Sequence, residues 1–106
     1  MADIRWSHSE KRIARHVYEG ALERELDGVV REFKTRAASI ASPAEMWDLG
    51  PFLADRRREI DAKFDFRYSQ LCTVFGWLLR EGRIEERDLQ GLGDEKLEII
   101  RRIASI

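Results

Sequence analysis

The chain has 106 residues, 43% hydrophobic and 37% charged, which fits one domain with a core and excludes a disordered chain. Nineteen Lys and Arg against 20 Asp and Glu give a formal net charge of −1, which argues against a generic nucleic-acid or membrane binder. Cys72 is the only cysteine, so no internal disulfide forms, and no run resembles a secretion signal or a membrane span, so a cytoplasmic protein is expected.

Ser7-His8-Ser9-Glu10 has the spacing of a helix capping box. From there to about Ile40 no proline occurs, and Ile13, Val17, Leu22, Leu26, Val29, Phe33, Ala37 and Ile40 recur mostly three or four residues apart. That stripe predicts one long helix, on the order of 50 Å, which exceeds the width of a small globule. Two packings are open: against a second chain, or wholly within its own. Gly28 in mid-helix carries a cost that suggests the close approach of another helix, a tolerated flaw being the alternative.

Ser42-Pro43-Ala44-Glu45 marks the next start, with Ser42 as cap, Pro43 in the first helical position and Glu45 completing the box. Gly50-Pro51 should break or kink this helix soon after Leu49, with a helix resuming from Pro51 through Lys63. Phe64 to Arg80 is the most apolar stretch, with Phe64, Leu71, Phe75, Leu78 and Leu79 at helical spacing and Gly82 as terminator. A short helical turn over Ile84 to Leu89, a Gly91-Leu92-Gly93 linker and a last helix capped by Asp94 complete the chain.

Catalytic and metal sets are poor. His8 and His16 lie eight residues apart, too far for a two-histidine clasp, and no metal or other cofactor is expected. Asp61 and Asp65 share a helix face at a four-residue interval, but no nucleophile or histidine completes a catalytic set. Pairing with Arg57, Lys63 or Arg67 is the simpler role, and no enzyme is expected. Arg56-Arg57-Arg58 points in three directions, leaving at least one arginine for a partner. Trp47, at a helix interruption upstream of Phe52 and Arg57, has interface hot-spot composition, a core tryptophan being the other reading. Cys72, in an apolar helix, reads as inert core.

An ordered series of residues carries a resemblance. It comprises Trp6-Ser7, Arg24-Glu25-Leu26-Asp27-Gly28, Trp47 with Leu49, Phe52-Leu53, Arg57, Glu59-Ile60-Asp61, Lys63, Asp65, Arg67, Ser69, Phe75, Leu78-Leu79 and Glu81-Gly82. With these the chain resembles the fluorescence recovery protein family of cyanobacterial photoprotection, without gaps over nearly its whole length. The resemblance implies an all-α fold. A long amino-terminal helical hairpin (1–63) forms a homodimer and a small carboxy-terminal helical head spans 64–106, together a single domain of 1–106. It implies binding to the carboxy-terminal domain of photoactivated orange carotenoid protein, faster red-to-orange reversion, and an end to phycobilisome quenching.

The family's functional tryptophan and arginine match Trp47 and Arg57, so the candidate partner-binding set is Trp47, Asp48, Phe52 and Arg57. The candidate dimer surface is Leu26, Val29, Val30, Phe33, Ile40 and Leu49. The family pattern has a His-Asp pair where Gly50-Pro51 stands, and apolar and basic head residues where Thr73 and Ile99 stand. A second reading therefore keeps the homodimeric helical fold and gives it a different, unknown protein partner.

Overall fold

The computed structural model describes residues 5–106, all helical or irregular. Its helices are α1 (His8–Ala38), α2 (Pro43–Trp47), α3 (Leu49–Lys63), α4 (Leu71–Arg80) and α5 (Asp94–Ala104), with a 3-10 turn at Glu86–Leu89. None is long and apolar enough to cross a membrane. Two compact units result: the chain up to Ala21 with Phe64–Ile106, and Leu22–Lys63.

The first unit is a helical head with its own core. Phe75, Leu71, Leu78, Leu89 and Ile100 are fully buried, joined by Ala14, Val17 and Ala21 from α1. Gly76 lets α4 and α5 touch, since a Cβ there would lie 2.5 Å from Ile103 Cγ2. The α4 helix ends as its glycine foretells. Gly82 has φ of 72° and the Arg83 amide donates to Leu78 O at 2.8 Å, the six-to-one bond of a Schellman cap. Cys72 is buried in this core and burial pushes its thiol up, which keeps it protonated and unreactive.

The capping box at the start of α1 forms: the Glu10 amide donates to Ser7 Oγ at 3.2 Å and the Ser7 amide to Glu10 Oε1 at 2.9 Å. Glu10 also does something its spacing does not announce. Its Oε2 accepts from the Gly93 amide at 2.7 Å, and Lys96 Nζ donates to its Oε1 at 3.1 Å. The carboxylate thus sits at the amino-terminal end of α5, where the helix dipole favours it. Gly93 is the cap of α5 and Asp94 its first residue, so the Asp94 cap is corrected: the buried Glu10 takes the place of a cap side chain.

The second unit is an antiparallel hairpin of the latter half of α1 with α3. Glu45 donates its amide to Ser42 Oγ at 3.3 Å, as a box requires, but its carboxylate takes the Ala41 amide, one residue before the cap. Pro51 occupies the third position of α3, not the first. Its missing N–H falls in the first turn, where no intrahelical bond is lost within α3; an amide there would have reached for the carbonyl of Trp47, four residues upstream. The interruption is therefore at Asp48, before the residues that cause it. Two other boundaries differ from expectation. Phe64 to Gln70 precede α4 without being helical, so Asp61 and Asp65 share no helix face. They pair separately, Asp61 Oδ2 with Arg57 Nε at 3.8 Å and Asp65 Oδ2 with Arg67 Nη2 at 2.6 Å. A Cβ at Gly28 would meet only Arg31 Nη2, at 3.9 Å, so no helix of this chain uses that glycine.

Burial alone would raise the Glu10 carboxyl. The Ser7 and Gly93 amides and the Lys96 ammonium outweigh it and bring the group down from 4.5 to about 2. A depressed folded value means the stabilisation is complete above the ordinary value and is lost as pH falls toward 2. Urea unfolding between pH 7 and pH 2 should show an acid loss of about 2 kcal/mol from this group, allowing for solvent screening. The loss should be absent in Glu10→Gln, whose side chain does not titrate.

Candidate protein-docking surface

The hairpin is held by an alternation of charge and ring. Arg36 and Arg56 stack on the Phe52 ring, their guanidinium carbons 4.4 and 5.1 Å from its centroid. Arg56 grips Glu32 with two bonds, Nη2 to Oε1 at 3.2 Å and Nε to Oε2 at 3.4 Å. This fork holds the Glu32 carboxyl below its usual range and Arg56 above its own. Farther along, Lys63 bonds Glu25, which is buried. The pairs 36–52, 32–56 and 25–63 keep a constant sum, which is the register of an antiparallel seam.

The inward phase of α3 is thus Leu49, Phe52, Arg56, Ile60 and Lys63, each buried or half-buried. Its opposite phase is Gly50, Ala54, Arg57 and Asp61, all exposed at spacings of four, three and four. Asp48 keeps helical torsions, φ −66° and ψ −18°, so this phase carries back through the interruption to Trp47. Trp47 is 73% exposed and the Arg57 side chain 85% exposed. The core reading of Trp47 is therefore excluded within this chain: its ring sits on the surface. Asp48 is exposed beside it.

Phe52 has a different place from the other candidates. It is 8% exposed, under two guanidiniums, and holds the surface in position from beneath. Of the basic run, Arg56 is consumed by the seam, Arg58 pairs with Asp55, and Arg57 makes, among the described residues, only the long contact to Asp61. Met46 and Leu53, 46% and 40% exposed, flank the outward phase and are absent from the sequence-derived set, although their seven-residue spacing places them on one helix side. A side chain at Gly50 would meet nothing within 4 Å.

A second stripe runs along α1 beside the seam. Leu22, Phe33, Ala37 and Ile40 are half-buried, while Leu26 and Val30 are 46% and 48% exposed. Val29 and Leu49 are half-buried near the seam. Phe52 is the only apolar side chain of Leu22–Lys63 that is buried. Among the described residues no group of three or more His, Cys, Asp or Glu converges as a metal site, and His8 and His16 lie exposed. What this hairpin offers is a face of one aromatic ring and one arginine, suited to binding another protein.

Comparison with known proteins agrees with the all-helical fold. The family described as photoprotection regulator fluorescence recovery protein matches residues 6–104. The fluorescence recovery protein of Synechocystis is 34% identical over 105 residues, covering 99% of this chain and 96% of that one. Solved structures of the fluorescence recovery proteins of Fremyella diplosiphon and Synechocystis superpose with a TM-score of 0.89, at 32% and 34% identity. Each match covers 96% of this chain and all of the other.

Surface and support separate by mutation. Trp47→Ala and Arg57→Leu should each change thermal stability by less than ~0.5 kcal/mol, because both side chains stand in solvent. Phe52→Ala should cost about 3 kcal/mol by emptying the seam. Thermal melts followed by circular dichroism check both.

Proposed function

The chain belongs to the fluorescence recovery protein family, a family of photoprotection regulators, and from that membership we propose that it binds photoactivated orange carotenoid protein and speeds its return from red to orange. Binding falls on the carboxy-terminal domain of the carotenoid protein, and the outcome is the end of phycobilisome quenching. The observation that carries this reading is the exposed phase of Trp47, Gly50, Ala54 and Arg57. Trp47 and Arg57, the positions at which the chain resembles the family's functional pair, lie on it, and both side chains stand in solvent. Such a regulator accelerates reversion by holding the state between red and orange more tightly than the red state. No bond is made or broken and no cofactor takes part.

The working unit is a homodimer. The support is the apolar stripe of Leu22, Leu26, Val30, Phe33, Ala37 and Ile40, left partly open in a hairpin with a single buried apolar side chain. An uncovered stripe of that length on a two-helix unit is what a second copy covers. Leu26→Glu with Val30→Glu places charges where a monomer tolerates them and an apolar interface does not. Light scattering at micromolar concentration should give a dimer mass for the wild type and a monomer mass for that variant. A monomeric wild type contradicts the dimer.

Gly50-Pro51 stands where the family pattern carries a polar pair, so some contacts to the carotenoid protein are missing. A charge-assisted hydrogen bond is worth ~1.5–3 kcal/mol, about ten- to over a hundredfold in affinity. The absorbance decay of photoactivated orange carotenoid protein in the dark should accelerate detectably, though weakly, on addition of this protein. Arg57→Leu should abolish the acceleration. Gly50→His with Pro51→Asp should increase it, since position 50 has open space for a side chain. The same departure favours the second reading, a different partner for the same surface. No acceleration at large molar excess selects it.

A further inference from the structure

The head carries a charged face that stands open to solvent. On the first half of α1 the exposed residues His8, Lys11, Arg12, Arg15 and His16 fall on one side at helical spacing. They span about 12 Å of helix. The nearest carboxylate in sequence, Glu10, is buried and spent on the Ser7 and Gly93 amides and Lys96, so it does not neutralise the stripe. The one exposed acid there is Glu19, which meets Arg15 at 3.3 Å in a solvent-exposed pair of small worth. Lys11 and Arg12 make no ion pair among the described residues. They also lie near the amino-terminal end of α1, where the helix dipole disfavours cations. Their presence opposes local stability and calls for another reason.

The cations are mounted on rings. Lys11 Nζ lies 5.1 Å from the Tyr68 centroid and the Arg15 guanidinium 4.4 Å from that of Phe66. Phe66 packs edge-on against Tyr68 at 5.7 Å and Tyr18 at 4.9 Å, and Trp6 lies 5.8 Å from Tyr68. The Trp6 indole N–H is in turn fixed on the Tyr68 carbonyl at 3.2 Å. A ring orders a cation without cancelling its charge, so this ledge presents pre-ordered positive groups beside aromatic surface.

We propose that the α1 face of His8, Lys11, Arg12, Arg15 and His16, with Tyr68 and Phe66 beside it, docks an acidic peptide segment of a partner protein. Its residues belong to the head unit, whereas Trp47 and Arg57 belong to the hairpin unit. The chain's net charge of −1 favours this occupant over a nucleic acid or an anionic membrane. Those extended polyanions meet the field of the whole molecule, whereas a short acidic segment meets only the stripe. Arg and Tyr side by side are also the composition of protein interfaces.

The probe is a fluorescein-labelled glutamate octapeptide titrated with the full chain at low salt and read by fluorescence anisotropy. Saturable binding is expected, weakened at least about tenfold in Lys11→Glu/Arg12→Glu/Arg15→Glu and unchanged in Arg58→Glu. The triple variant should remain folded, since it loses only the exposed Lys11–Tyr68, Arg15–Phe66 and Arg15–Glu19 contacts while gaining carboxylates near the amino-terminal end of α1. If it does not fold, Lys11→Gln/Arg12→Gln serves in its place. Absent binding, or binding indifferent to these variants, overturns the proposal. So does stripe-dependent retention on phosphatidylglycerol vesicles or duplex DNA that exceeds binding of the peptide.

Discussion

Phe52 under the two guanidiniums of Arg36 and Arg56 sets the register on which the rest of the hairpin depends. One buried ring between two cations fixes which side of α3 turns inward. Arg56 is then in reach of Glu32, and Lys63 of Glu25, on the same side. Because a helix repeats every 3.6 residues, the opposite side is fixed with it. It carries Gly50, Ala54, Arg57 and Asp61, and Trp47 beyond the Asp48 turn. A slip of one residue along the seam would turn Arg57 toward Glu32 in place of Arg56 and take it off the surface. Trp47 and Arg57 are thus outward because their neighbours are inward.

The two units are stabilised differently. The head is a conventional core of Leu71, Phe75, Leu78, Leu89 and Ile100, closed at one end by the Glu10–Lys96 pair and the Gly93 amide. Such a buried pair stabilises only while both partners and the amides are in place, since either charge alone in that setting is costly. The hairpin has one buried apolar side chain and relies on ion pairs that are half in water. Ion pairs of that kind contribute little. An apolar stripe that waits for a second copy is the consistent physical complement, and it ties the proposed dimer to the stability of the docking surface itself.

Much of this fold is legible in the sequence because it is local. Ser7 and Glu10 lie three residues apart and make the box that spacing implies, and Gly82 ends α4 with the positive φ that glycine permits. The helical class, the long first helix and the family itself are readable from periodicity and an ordered set of residues. The long-range choices are not. Nothing around Glu10 announces Gly93 and Lys96, more than eighty residues away, so Asp94 reads as the cap of the last helix until the fold brings Glu10 there. Phe52 reads as an exposed hot-spot partner of Trp47 until the seam register buries it, and that register depends on where the chain turns between α1 and α3. The Pro51 interruption is visible, but its effect falls on the carbonyl of Trp47, upstream of the residue responsible.

The central claim, that the outward phase of α3 contacts the photoactivated carotenoid protein, is open to one direct measurement. Ala54 lies midway along that phase and is exposed. A photocrosslinking benzoylphenylalanine at position 54 should join the carboxy-terminal domain of red orange carotenoid protein, and do so much less with the orange form. Crosslinks of equal yield to both forms, or none to either while the protein still accelerates reversion, would contradict it.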